Sequence, residues 1–362
     1  MCPSLEVAIK ARGLKYSFQS IITHVAPPPL PLAAVVWTPA LADALAEASA
    51  ALARLDARVS ASSLRPGWIL RASWAGYAAA LRLQQSPVEE IDIIAERCGL
   101  RLPGRALIRT EDEPFAACEP WLAALSEPEG RHWTDGLPFT FDPPEGWREA
   151  PALVRALHLL DASARADRTV APWLAFPLIL RRIGLTRTAL PCMAPGEPAQ
   201  RFASDPRPLL LKRLLKAVRR QAEDGLERLD RLEASARRSA LAIAQEHRPG
   251  KLADLARLAL TRPCLAARSL APLVGVTVSG AGKLLERATA LGIMVEISGR
   301  GSWRTYVAPD VAQSLGLRSA ERGRPPSLST AVPEVADILA GFDSEMAEIE
   351  ERLRKLGIAV ED

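Results

Sequence analysis

Arg262–Ala308 reads RPCLAARSLAPLVGVTVSGAGKLLERATALGIMVEISGRGSWRTYVA, and this stretch decides the fold of the C-terminal part of the chain. Arg268–Val274 is an apolar helical run. Gly275-Val276-Thr277 supplies a corner. Val278–Leu291 repeats apolar residues at helical spacing, and Gly292 ends the run at the position where a left-handed glycine closes a helix. Ile293–Ile297 and Ser302–Val307 are β-rich runs around Ser298-Gly299-Arg300-Gly301, the pattern of a hairpin. The order helix, glycine turn, helix, two-stranded hairpin is that of a winged helix-turn-helix. A short turn sets two helices at a steep angle, which lets the second enter the major groove of DNA.

Charge is distributed in keeping with that expectation. The 362 residues carry a net charge of only +4, too little to decide a partner. Between Lys251 and Ala320, however, nine Lys/Arg face four acids, an excess of five. Neutralising phosphates requires such a local excess. Five cysteines are scattered with no C-x-x-C pair, and no histidine stands at zinc spacing, so neither disulfides nor a metal is expected. No cofactor is expected either. There is no signal-peptide pattern. The longest apolar run, Trp173–Leu180, is far short of the roughly 18 residues that span a bilayer, so a cytoplasmic protein with no membrane partner is expected.

The rest of the chain reads as mainly α. Apolar residues make up 48%, with few Phe or Tyr, and thirty prolines punctuate helical runs. Residues 1–38 form an irregular lead-in. A helical domain is expected over 39–248, with helices near 39–60, 64–84, 88–99, 113–126, 151–166 and 170–184. A long one over 209–245 is expected to be interrupted mainly at Gly225. Its cations Lys212, Arg213, Lys216, Arg219 and Arg220 mark either a solvated face or an extension of a phosphate surface. The winged helix-turn-helix fills 250–310, a basic linker 318–332, and a last helix 333–357. In that last helix Val335, Leu339, Phe342, Met346, Ile349, Leu353 and Leu356 fall at alternating steps of four and three, a heptad seam suited to a homodimer through 335–356.

Within 278–291, Ala281, Leu284, Leu285, Ala288 and Leu291 should face the core. Val278, Ser279, Gly280, Lys283 and Arg287 then point outward. This set lacks the Asn, Gln or Arg near the helix start that would pair with a base edge in bidentate fashion, so phosphate contact should outweigh base readout. Arg300 at the hairpin tip and Arg304 on the return strand would reach phosphate or the minor groove. Arg322-Gly323-Arg324-Pro325 has the core of an AT-hook, in which Gly admits the chain to a narrow groove and Arg322 and Arg324 follow its negative potential. A plain basic linker is the alternative.

Residues 30–310 also resemble the layout of Fic-family AMP-transferases with a C-terminal winged helix. In that family a His-Pro-Phe-x-Asp-Gly-Asn-Gly-Arg-x-Gly-Arg motif precedes an apolar core helix. Here Asp161-Ala162-Ser163-Ala164-Arg165-Ala166-Asp167-Arg168 stands before Trp173–Leu185. The resemblance implies a nucleotide site at Asp161, Ser163, Arg165 and Arg168. Asp161, Arg165 and Arg168 match the motif. Ala162, Ala164 and Asp167 replace its glycines, Ser163 its Asn, and Leu157 its catalytic His, with His158 one residue out of register. A β-carbon at each glycine crowds phosphates, Asp167 repels them, and no general base is in place. The family's inhibitory Glu corresponds to Gln84 in Ala80–Gln85. The chain also resembles an uncharacterised bacterial family that pairs a domain of unknown function with a helix-turn-helix domain.

These readings lead to a mainly α protein with no catalytic residues, which binds double-stranded DNA as a dimer and regulates transcription. The alternatives are an AMP- or nucleotide-transferase with a reshaped site using Asp161, Arg165 and His158, and a non-catalytic adaptor whose winged helix binds protein.

Overall fold

The computed structural model describes residues 35–97, 118–126, 144–167, 169–197, 207–298, 304–314 and 316. Arg168, Arg300, Arg322, Arg324, the 318–332 linker and the heptad segment 333–357 lie outside the described residues. The helical body consists of α1 (Pro39–Ala61), α2 (Arg65–Leu83), α3 (Glu90–Arg97), α4 (Cys118–Ser126), α5 (Ala152–Ala166), α6 (Ala171–Arg182) and α7 (Arg207–Ala244). Then follow α8 (Leu252–Thr261), β1 (Cys264–Ala266), α9 (Ala267–Val274), α10 (Val278–Ala290), β2 (Val295–Glu296), β3 (Thr305–Val307) and α11 (Pro309–Ser314).

The body is built on α1 against α7. Alanines and leucines at helical spacing on α1 (Leu41, Ala44, Ala48, Ala51, Leu52, Leu55 and Val59) are buried there. Gly225 does not interrupt α7, which runs unbroken through it. A Cβ at this position would stand 2.9 Å from Cys192 Sγ and 3.0 Å from Leu55 Cδ2, so the glycine is there for close packing. The Gly225 carbonyl also accepts a buried hydrogen bond of 2.8 Å from Trp68 Nε1. Burial pushes the Cys192 thiol up to about 12, so it stays protonated and inert. The buried Asp56 carboxylate accepts from the backbone N–H groups of Arg187 and Thr188 at 3.0–3.2 Å, and this ties the 184–197 segment to α1. The cations of α7 are partly occupied by acids. Arg213 pairs with Glu197 at 2.7 Å, and Arg219 with Glu47 at 2.6 Å.

The C-terminal unit has its own core of Leu252, Leu255, Leu265, Leu270, Ala281, Leu285, Ala288, Ile293, Met294 and Tyr306. Three antiparallel strands in the order β1-β3-β2 back it. Successive strand residues point to opposite faces. Leu265 and Tyr306 face the smaller core, whereas Cys264, Val307 and Val295 pack on the helical body. The sheet is therefore shared between two cores.

Two strand expectations need correction. The first strand is shorter than 293–297, and of 302–307 the described residues place Thr305–Val307 in the second. After left-handed Gly292 (φ +71°) the N–H groups of Ile293 and Met294 return to the Ala288 carbonyl at 2.8 and 3.3 Å, so they close the helix instead of joining the ladder. The third strand, Cys264–Ala266, was not anticipated, because three residues are too few to show alternation.

Candidate nucleic-acid interface

Residues Arg268–Val274 and Val278–Leu291 fold nearly as expected. Ser269 Oγ accepts from the Ala266 N–H at 3.0 Å and starts α9. Gly275 ends it in the left-handed region (φ +68°), which a β-carbon would disfavour. Thr277 then caps α10 by accepting from the Gly280 N–H at 3.1 Å. Polar Thr277 thus starts the second helix three residues after Val274, the last residue of the first.

Face assignments on α10 follow the sequence. Ala281, Leu285 and Ala288 are buried, and Leu284 and Leu291 pack half-buried on the same core. Val278 is 52% exposed, Ser279 and Lys283 are exposed, and Gly280 is half-buried.

The cations are less free than the sequence suggests. Arg287 is ion-paired to Glu246, just beyond the end of α7. Arg304 Nη1 donates to Glu286 Oε1 at 2.9 Å, with the two side chains 38% and 58% exposed. The Tyr306 hydroxyl, Glu296 and Glu286 hold the Arg304 guanidinium above its ordinary range. Exposed pairs of this kind gain little in water and can exchange a carboxylate for a phosphate. Lys283 makes no ion pair among the described residues.

The residues assigned to a nucleotide site lie elsewhere. Asp161, Ser163 and Arg165 belong to the interior of α5, a continuous helix. Arg165 Nε donates to Asp161 Oδ2 at 3.1 Å, both side chains being more than nine-tenths buried. His158 is buried with its ring 5.6 Å from that of Trp147, edge to face. The backbone of Asp161–Ala166 is helical, so its N–H groups serve the helix ladder and form no open anion nest. Gln84, which the Fic resemblance matches to an inhibitory Glu, meets a backbone carbonyl. Gln84 Nε2 donates to the Thr169 carbonyl at 2.6 Å, just past the motif.

The sequence reading missed Arg71. It is buried on α2, and all five of its N–H donors are used. Nε donates to one Asp310 oxygen. Nη2 reaches the other at 3.3 Å and the Ala259 carbonyl at 3.3 Å. Nη1 reaches the Leu260 carbonyl at 2.6 Å and the Gly67 carbonyl at 3.1 Å. Ala259 and Leu260 are among the last carbonyls of α8, which have no partner within that helix. One cation thus closes α8, neutralises Asp310 at the start of α11, and fastens both to the helical body. The signal was present: Arg71 is the only charge between Arg65 and Arg82.

No protein-family model matches the chain, and no curated protein matches it either. Among the described residues no group of three or more His, Cys, Asp or Glu could hold a metal ion, and no helix is long and apolar enough to cross a membrane.

Proposed function

We propose that α8 to β3 is a winged helix-turn-helix that binds double-stranded DNA, with α10 in the major groove and the β2–β3 hairpin as its wing. The observation that carries this reading is the bare outer face of α10. Val278, Ser279 and Lys283 stand exposed on a helix that follows α9 across the three-residue corner Gly275-Val276-Thr277, opened by left-handed Gly275, and shares its core with a three-stranded sheet. Val278 suits a thymine methyl, Ser279 a phosphate or base edge, and Lys283 a phosphate. Arg287 and Arg304 contribute by exchanging Glu246 and Glu286 for phosphates, while Arg300, Arg322 and Arg324 add contacts from outside the described residues.

The protein acts as a homodimer through 335–356 and regulates transcription. The heptad spacing of that segment supports the dimer. The helical body serves as a Fic-like scaffold without catalytic groups. The buried Asp161–Arg165 pair, inside a continuous helix, supports the loss of catalysis.

Titrating fluorescent genomic fragments at several salt concentrations tests the reading. The expected result is binding whose log-log salt slope reflects about 0.9 per phosphate contact. Absence of binding to any duplex at low salt would reject it.

A further inference from the structure

A second site lies between the two cores. A cavity of about 350 Å³ is walled by the last turns of α7 (Ser235, Ser239, Ala240) and by α8 (Ala256, Arg257, Ala259). This is at the small end of ligand pockets, which span about 300–1,000 Å³, and an apolar cavity of about 150 Å³ already accepts benzene. Its walls are alanine-rich and largely apolar, and close packing normally excludes an open volume of that size.

Two polar features give the cavity chemical direction. Ser235 is 94% buried in its wall by virtue of a 6% residual exposure, yet its hydroxyl has no hydrogen-bond partner among the described residues. Its oxygen is open to the cavity rather than sealed in the packing, so a ligand group can take the place of water there. The second feature is charge. Arg71 and Asp310 both line the cavity, but they neutralise each other and all of Arg71's donors are used. That leaves Arg257, with a 63% exposed side chain and only a 3.6 Å contact to Asp254, as the net charge at the rim. The lining therefore asks for an apolar body, hydrogen-bonding groups toward the hydroxyls of Ser235 and its neighbour Ser239, and a negative charge toward Arg257.

We propose that this cavity is a binding site for a compact hydrophobic carboxylic acid, with its ring or branched chain among the alanines of α7 and α8 and its carboxylate between the Ser235 hydroxyl and Arg257. This assignment does not depend on DNA binding.

The test uses the full chain with benzoate and cyclohexanecarboxylate as probes, and benzamide and benzamidine as neutral and cationic counterparts. Binding is read by thermal shift and by titration calorimetry without DNA. A carboxylate at about 100 times its Kd should raise Tm by at least about 4 °C. Benzoate should bind at least threefold more tightly than benzamide in the native protein, and Arg257→Gln should erase that preference. Ser235→Ala should weaken benzoate several-fold. Ala240→Phe should fill the space and weaken it tenfold or more. Circular dichroism checks that each variant is folded, and the Ser235 and Arg257 variants keep the test open if Ala240→Phe is not. No saturable binding of either acid at 10 mM overturns the site. Tighter binding of benzamidine than benzoate overturns the carboxylate assignment, and native affinity in a folded Ala240→Phe overturns the location.

Discussion

Helices α5 and α10 both carry residues whose sequence pattern points to chemistry, and the two helices present them oppositely. On α5 the interesting residues, Asp161, Ser163, Arg165 and His158, are turned into the body. On α10 the interesting residues, Val278, Ser279 and Lys283, are turned out. The residue types are similar in both helices, so identity does not separate them. What separates them is the rest of the helix. Around Asp161 lie Leu157, Leu159, Leu160 and Ala164, all buried, so α5 is covered on nearly every side and its polar groups must satisfy one another. Helix α10 buries only Ala281, Leu285 and Ala288, one narrow stripe, and leaves the remainder to an outside partner.

That contrast can be broken most directly on the buried side. Asp161→Ala removes the buried carboxylate that Arg165 Nε meets and should cost about 3–5 kcal/mol, on the order of 10 °C in Tm by calorimetry. A loss under 2 °C would mean that the pair is hydrated and α5 is not closed. Asp310→Ala should act in the same way through Arg71. On the exposed side, changing Lys283, Arg287 and Arg304 together to Ala should leave Tm within about 2 °C of the native value, since exposed sites contribute little. The same change should lower the log-log salt slope of DNA binding by about 2.7, and affinity at low salt by at least tenfold. An unchanged slope would move the DNA face away from α10. No transfer of label from ATP to protein is expected from the native chain. Transfer that Arg165→Ala abolishes would reverse the contrast altogether.

The smallest expected effect concerns Asp224 on α7. Burial, with smaller contributions from nearby acids, raises its carboxyl above the ordinary value despite Arg228 beside it. A carboxyl raised in the folded state favours folding only while protonated, and that contribution is lost as pH rises through the folded value. Asp224→Asn should therefore raise Tm at pH 7 by up to about 2 °C, and the gain should vanish toward pH 3.

Much of this was legible in the sequence because the helices advertise themselves. Pro39 after the capping Thr38, Gly275 and Gly292 all mark helix ends, and the Ala/Leu spacing of α1 fixes its buried stripe. What stayed hidden depends on approach from far along the chain. Gly225 reads as a helix breaker until Leu55 and Cys192 are seen to press on it. Arg287 and Arg304 read as free cations until Glu246 and Glu286 arrive from other elements. The α5 motif reads as a loop only by analogy, whereas its own residues Ala162, Ala164 and Ala166 favour helix. Arg71 could have been noticed as a lone charge in an apolar run, but apart from the Gly67 carbonyl its partners are 188 to 239 residues away.

Strand β3 carries a consequence for how the protein melts. Tyr306 belongs to one core and Val307 to the other, so a three-residue strand is an interior element of both. Pulling the C-terminal unit away would expose Val307 to water, and melting the body would remove one wall from the sheet. The two cores should thus behave as a single cooperative unit in unfolding, with calorimetric and van't Hoff enthalpies in agreement, rather than as two domains that denature in turn.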